Sequence, residues 1–338
     1  MKKILVITAA VIFLPGLLAA QFTTPTDGFN NNGTRPAQFL KFAVGSRAVA
    51  MGESFAAVAN DASALYWNPA GVGNLKHLEL HLTHANYLAD INFNFAGLVV
   101  PIAKNSNLGF SAMAWSMGDE PVTTPDDPTG AAGLTWSASS FAVGLTFSRA
   151  LTDRFAVGLT GKYIQENLYH SSAKTLAIDI GSLYDTGIRG IKIGMAMTNF
   201  GGKLKVSGRD LNVRTTPIRP GNPTQPGDLG TSSWPLPLNF RVGLSFEIFR
   251  NESSALLVAS DFIHPTDADE RLNFGAEYTL NNRLFVRGGY KMNYEEESFS
   301  AGGGVNLPIT SYNLIIDYAF NDFGILGDVH RFSFGFKF

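Results

Sequence analysis

Three histidines, His77, His81 and His84, stand close together in the chain, and three acidic clusters follow: Asp126-Asp127, Asp267 with Asp269-Glu270, and Glu295-Glu296-Glu297. A metal centre needs ligands that converge and a second shell that orients them. In an extended strand side chains alternate between faces, so His77 and His81 share one face and His84 takes the other. The trio cannot converge, and it reads as polar lining plus one interface residue. The acidic clusters offer oxygens that suit calcium. None has the spacing of a twelve-residue calcium loop, so they read as solvated loops. Gly302-Gly303-Gly304 lacks phosphate-loop spacing and instead marks a bend or a close approach of backbone. His264, near Asp267, is the nearest hydrolase candidate, but no serine stands at a supporting spacing, and neither a nucleophile elbow nor a zinc-protease motif is present. The chain is therefore read as a non-enzyme with no metal and no cofactor.

The elements that would carry any site are strands. The chain ends Arg331-Phe332-Ser333-Phe334-Gly335-Phe336-Lys337-Phe338, which puts Phe332, Phe334, Phe336 and Phe338 on one face. A terminal phenylalanine strand of this kind reads as an assembly signal, with the barrel-assembly machinery as partner. The same alternation recurs in about fourteen segments: 77–88, 91–102, 107–118, 139–151, 154–168, 173–186, 190–201, 236–249, 253–265, 270–281, 283–293, 298–308, 312–322 and 328–338. Segments near eleven residues, tilted at about 45°, span roughly 25 Å of hydrocarbon. The expected fold is all-β: a transmembrane antiparallel barrel with apolar residues toward lipid and polar residues toward a lumen. The charges Glu79, Arg241, Glu247 and Arg287 then face the lumen. The two long connections, 119–138 and 202–235, are the third and the seventh, as extracellular loops should be when both chain ends are periplasmic. Trp115, Trp136 and Trp234 flank them and are assigned to an outer aromatic girdle. A soluble β-sandwich also alternates, but it gives no reason for so many segments or for a terminal phenylalanine.

The ends and the composition agree with a membrane barrel. Lys2-Lys3 precedes an apolar run from Ile4 to Ala20, broken by Pro15-Gly16, so residues 1–20 read as a signal peptide rather than a spanning helix. Residues 21–36 are polar and irregular. Cysteine is absent, so no disulfide framework operates. Charged residues make up 16% of the 338 and net charge is −2, which leaves no basic field for nucleic acid. Residues 77–338 form the barrel, lipid is the immediate partner, and the bacterial outer membrane is the expected location.

Residues 37–76 are too few to make a core of their own. A barrel of about fourteen strands is too wide for wall side chains alone to fill. The segment is thus expected to enter from the periplasm and plug the lumen. Arg47 and Glu53 would pair with lumen charges, since a buried unpaired charge is costly. Asp61 is the expected N-cap of a short helix through Trp67, which Asn68-Pro69 stops.

Within this segment, Gly45, Arg47-Ala48, Gly52, Asp61-Ala62 and Asn68-Pro69-Ala70 resemble the N-terminal hatch signature of the FadL-like outer-membrane superfamily. The fuller pattern Ser46-Arg47-Ala48-x-Ala50-Met51-Gly52 with Ala64-x-Tyr66-Trp67-Asn68-Pro69-Ala70 is similar to that of its PorV/PorQ family. The resemblance implies a fourteen-stranded barrel closed by a hatch. It also implies a role in type IX-linked export or surface delivery of proteins, with a secretion translocon and exported proteins as partners. The alternative it implies is a FadL-like transporter of fatty acids or other hydrophobic small molecules. Phe42, Met51, Phe55, Leu65 and Trp67 would then hold the ligand between hatch and wall.

Overall fold

The computed structural model describes residues 33–215 and 225–338. The expected signal peptide, most of segment 21–36 and part of the seventh connection lie outside the described residues. The wall strands are β1 Glu79–Asn86, β2 Asn92–Ala103, β3 Ser106–Ser116, β4 Ala138–Thr152, β5 Phe155–Leu168, β6 Ser171–Asp185 and β7 Lys192–Gly201. They continue as β8 Asn239–Arg250, β9 Ser254–Pro265, β10 Arg271–Leu280, β11 Leu284–Met292, β12 Phe299–Ile309, β13 Tyr312–Asp322 and β14 Asp328–Lys337. Each pairs antiparallel with its sequence neighbours. β1 pairs with β14 from Glu79↔Lys337 to Asn86↔His330, which closes a fourteen-stranded barrel. Closure leaves no edge strand, as a wall in hydrocarbon requires.

The accessibility pattern is inverted relative to a soluble sheet. On β4, Val143, Leu145 and Phe147 are exposed while Thr146 and Ser148 are fully buried. On β14, Phe332 and Phe334 are exposed, whereas Arg331 and Ser333 are buried. Polar side chains turn inward because the lumen supplies partners, and apolar ones turn outward because lipid is as apolar as they are. Among the described residues no helix is long and apolar enough to cross a membrane.

The lumen is filled by the chain's own N-terminal segment. A 3-10 turn, Gln38–Lys41, leads to α1, Ser46–Ala50, then to α2, Ala64–Trp67, and a second 3-10 turn, Pro69–Asn74. Its direction corrects the expectation of entry from the periplasm. The Ala37 N–H donates to Glu166 Oε1 at 3.0 Å, and Gln38 and Lys41 reach Asp267 at 2.8 and 2.9 Å, all at the long-loop end. The far end of the segment, Leu75, offers its carbonyl to Asn107 Nδ2 at 2.9 Å, at the short-turn end. Residues 37–75 therefore run through the lumen from the outer end to the inner end. The helix α2 is shorter than expected. Asp61 caps the turn before it, accepting the Ser63 N–H at 2.9 Å, and Asn68 is extended at its C-terminus. The Asn68 side chain then caps the next turn, accepting from the Ala70 N–H at 3.1 Å.

The outer connections carry small ribbons. Glu120-Pro121 pairs with Thr135-Trp136, Lys203–Lys205 with Ser233–Pro235, and Asn212–Thr215 with Gln225–Asp228. In the third connection Asp127 accepts the backbone N–H groups of Ala132 at 2.8 Å and Ala131 at 3.0 Å. Those bonds hold its carboxyl below the ordinary range. A depressed native pKa means that the loop order is present above the ordinary carboxylate pKa of about 3.9 and is lost as pH falls through the lower native value. Asp127→Ala should remove that order at neutral pH. Amide exchange at Ala131 and Ala132, corrected for intrinsic rate, should rise in the variant and, in the native chain, only in acid.

Candidate functional site

The hatch meets the inward face of the wall along much of the lumen. Hatch backbone approaches closely where the wall has no side chain. A Cβ on Gly289 of β11 would lie 1.9 Å from the Gly52 nitrogen, and one on Gly275 of β10 would lie 2.3 Å from the Met51 carbonyl oxygen. Across the lumen, a Cβ on Gly181 of β6 would meet Asn68 Oδ1 at 2.1 Å, and one on Gly158 of β5 would meet Pro69 at 2.3 Å. In the glycine run of β12 only Gly302 comes near the hatch: a Cβ there would lie 2.7 Å from the Ala50 Cβ and closer still to the Tyr318 carbonyl of β13, while Gly303 and Gly304 face wall atoms.

Between these contacts the hatch is held by charge. The Arg47 Nε donates to Glu277 Oε2 at 2.8 Å and its Nη2 to Oε1 at 2.9 Å, a bidentate pair. Its Nη1 reaches Asp61 Oδ2 at 3.2 Å, and Arg287 shares Glu277 at 2.6 Å while bonding Asp317 at 2.6 Å. On the adjoining wall Asp261 Oδ2 accepts the N–H groups of Phe55 and Ala56 at 3.0 and 2.9 Å. Arg241 donates to the Glu53 carbonyl at 2.6 Å, reaches Asp261 at 3.2 Å, and lies 4.8 Å above the Trp67 ring. Lys291 pairs with Glu53 on the hatch and with Glu297 in the outer connection beyond β11. Glu53 itself sits at φ 63° directly after Gly52 at φ 60°. Left-handed backbone costs a non-glycine residue about 1–2 kcal/mol, and the Lys291 pair offsets it. Smaller bonds complete the seat: Ser46 N–H to Ser333 Oγ at 2.8 Å, Gly52 N–H to Ser300 Oγ at 3.1 Å, and Asn68 Nδ2 to the Ser182 carbonyl at 3.0 Å.

The residues of the motif thus have visible physical work. Gly45 is at φ 82° ahead of α1, and Ala48 is fully buried. Pro69 and Ala70 fill the approach to β5 and β6. Other assignments need correction. Arg47 pairs with Glu277 and Asp61, not with Glu79, which pairs with Lys337 at 3.3 Å. Glu247 does not meet the hatch. It binds Arg250 at 2.6 Å at the short-turn end of β8, where a bulge ends the regular pairing. Glu277, Lys291, Asp261 and Asp317 were missed as partners, although strand parity already placed Glu277 on the inward face.

Trp115 is not in an outer girdle. On β3 the inward set is Asn107, Gly109, Met113 and Trp115, and the Trp115 ring lies 6.4 Å from Tyr87 at the outer mouth of the lumen. Parity decides this: the residues that face lipid beside it are Ala112 and Ala114. Trp136 stands opposite Glu120 and Trp234 opposite Leu204, both in loop ribbons rather than in wall strands. His81 faces inward, bonded to Thr83 at 3.0 Å, and His84 faces outward, as alternation required. Among the described residues no group of His, Asp or Glu has the arrangement of a metal site.

The five apolar hatch residues proposed to hold a ligand behave differently from one another. Met51, Phe55, Leu65 and Trp67 are at most 2% exposed and form the packed interior. The spaces beside Leu65 and Trp67 are about 30 and 50 Å³. That is room for a water or two and not for a chain-like ligand. Phe42 is half-buried and borders a larger cavity of about 370 Å³ at the outer mouth.

A family model described as "Type IX secretion system protein PorV" matches residues 29–264, from before the hatch to the end of β9. No curated protein matches the chain. Among solved structures, the toluene transporter TbuX of Ralstonia pickettii aligns at 15% identity over 87% of this chain and 97% of its own, with a TM-score of 0.54. The toluene transporter TodX of Pseudomonas putida aligns at 12% identity over 87% and 97%, with a TM-score of 0.56. A FadL homologue of Pseudomonas aeruginosa aligns at 13% over 88% and 97%, with a TM-score of 0.52. At such identities the likeness is one of fold: a FadL-like barrel.

Proposed function

The chain belongs to the PorV family, and from that membership we propose that this outer-membrane barrel serves type IX-linked export or surface delivery of proteins. It acts as a plugged scaffold rather than as a conduit. Its outer ribbons, with Leu134 and Trp234 exposed on them, form the contact surface for an exported chain or for a translocon. The observation that supports this reading over small-molecule transport is the seating of the hatch. Met51, Phe55, Leu65 and Trp67 are packed to exclusion, buried ion pairs fasten the hatch to β10 and β11, and Arg241 and Asp261 hydrogen-bond its backbone from β8 and β9. The alternative, a FadL-like transporter of hydrophobic molecules, draws on the fold likeness to toluene transporters. It requires a path past those packed residues.

Affinity purification of the tagged full chain from detergent-solubilised outer membrane separates the two. The export reading expects co-purification of a large translocon or of exported proteins, with no fatty-acid or toluene uptake by vesicles that contain the barrel. Saturable uptake without such partners would overturn it.

A further inference from the structure

The outward face of the wall has a depression on the side of β4 to β8. Its volume is about 520 Å³, within the roughly 300–1,000 Å³ of pockets that take small ligands. Val157 of β5 and Ser182 of β6 stand opposite each other and form its floor with Gly158 and Gly181. Phe147, Leu159, Met195 and Phe240, all exposed, rise around it. Ser182 supplies the one polar side chain of the lining. The floor lies toward the short-turn end, because Val157 is close to the start of β5 and Ser182 close to the end of β6. From the lumen side the Ser182 carbonyl accepts Asn68 Nδ2 of the hatch at 3.0 Å. Its hydroxyl has the outward parity of β6 and no hydrogen-bond partner among the described residues. A hydroxyl turned to hydrocarbon is costly unless something there accepts from it.

Charge is arranged at the rim of this depression. Arg149 of β4 pairs in register with Val157 and stands between Phe147 and Leu151 on the outward face. It is exposed, and among the described residues no carboxylate lies within ion-pair distance of it. A cation on the lipid-facing side of a barrel is tolerated where it reaches the headgroup level. That level is marked by Phe155 and Tyr184, an outward ring pair 6.4 Å apart just beyond Val157 and Ser182. Arg154 lies past these rings: a Cβ on Gly187 would be 2.7 Å from its guanidinium carbon, so it rests on the β6–β7 turn. Lys104 is drawn toward Arg149 by the bond from the Ala150 N–H to the Asn105 carbonyl at 2.9 Å. With Arg189, this side of the inner rim carries four cations against Asp153 and Asp185, and Asp185 spends Oδ1 on the Gly187 N–H at 2.8 Å. The opposite side is balanced: Glu247 holds Arg250 at 2.6 Å, Glu79 holds Lys337 at 3.3 Å, and Arg283 faces Glu252 in number.

We propose that this sector of the wall is a binding site for a glycerophospholipid of the periplasmic leaflet. One acyl chain lies in the depression, the Ser182 hydroxyl donates to an ester carbonyl, and Arg149 pairs with the phosphate, flanked by Arg154 and Lys104. The three features follow in the order in which a phospholipid presents its parts: chain, ester, phosphate. A soluble phosphate would use the cations and leave the depression empty, and an apolar segment of a partner protein would fill the depression and leave the cations unused. Ser182 meets the membrane through its hydroxyl and the hatch through its carbonyl, so the lipid backs the wall where Asn68 is seated. The site needs only the barrel's place in the membrane and goes beyond the export reading, whose failure in purification would leave it intact.

The test is native mass spectrometry of the full chain, stripped of lipid in detergent and titrated with dioleoylphosphatidylglycerol or with dioleoylglycerol, which lacks the phosphate. The first phosphatidylglycerol should bind about tenfold or more tightly than later ones and than dioleoylglycerol, as charge-assisted pairing requires. Soluble glycerol phosphate should not displace it; full displacement would assign a small-anion site and overturn the lipid reading. Ser182→Leu fills the floor and Arg149→Gln removes the charge, and each should bring the first lipid toward parity with later ones. Arg283→Gln, on the balanced side of the rim, should leave it unchanged. Heat-modified gel mobility checks that each variant is folded. The comparison of lipids on the native chain needs no variant, so a misfolding substitution does not blunt the test. A first phospholipid no tighter than later ones or than dioleoylglycerol, or a tight one that is indifferent to both folded variants, overturns the proposal.

Discussion

Deletion of residues 37–70 should convert a closed barrel into an open pore. The deleted stretch contains the backbone that meets Gly275 and Gly289 on one wall and Gly158 and Gly181 on the other, so it bridges the lumen. Wall side chains cannot replace it, because filling by side chains alone stops at about eight strands. The barrel itself should survive, since its ladder closes through β1 and β14 without help from the hatch. In planar bilayers the native chain is expected to show only background current. The deletion variant should show discrete steps about tenfold or more above background, in keeping with a water-filled barrel of this width. Its heat-modified gel mobility should confirm that it is folded. A folded deletion variant with native current would mean that something other than the hatch seals the lumen.

The second large effect is expected at Glu277. This carboxylate receives Arg47 from the hatch and Arg287 from the neighbouring strand, with its side chain 7% exposed. Glu277→Ala leaves the Arg47 guanidinium with Asp61 as its ion-pair partner and the Asn60 amide oxygen as a neutral acceptor, and strips Arg287 to Asp317. Removing one partner of a buried pair costs about 3–5 kcal/mol, because the remaining charge keeps its desolvation without its compensation. The loss should fall on hatch docking more than on the wall. Urea titration should show an early transition, absent from the native chain, in which hatch amides lose exchange protection before the strands do. Glu277→Ala combined with Arg47→Met should recover much of the difference, since the stranded charge is then gone. A single native-like transition in Glu277→Ala would place the holding energy elsewhere, with the Asp261 and Ser333 bonds as the remaining supports.

How far the sequence could be read follows from what each signal encodes. Strand positions were legible because period-2 alternation is a local property that the pleat converts directly into inward and outward faces. Leu145 and Phe147 against Thr146 and Ser148 illustrate this. Fourteen segments were expected and fourteen strands form the wall. The hatch motif was legible as a block of small residues with Arg47 and Asp61, because close approach of backbone demands glycine and alanine. Pairing partners were not legible. Which inward carboxylate Arg47 reaches depends on how far down the lumen α1 sits, and no strand pattern encodes that depth. Glu79 and Glu277 have the same parity signature, yet only Glu277 lies at the level of Arg47. Trp115 was misplaced for a different reason. Its position at a strand end suggested an interface, while its parity, counted from Asn107, placed it inside.

By itself the sequence determined the barrel, its strand number, the face each residue presents and the presence of a small-residue plug, since all of these follow from nearest-neighbour geometry and from composition. Only the tertiary structure decided that the plug runs from the outer mouth inward and that Glu277, Asp261 and Lys291 fasten it. Those facts depend on distances across a lumen between residues far apart in the chain. Coulomb and packing energies act on such distances and not on order along the sequence.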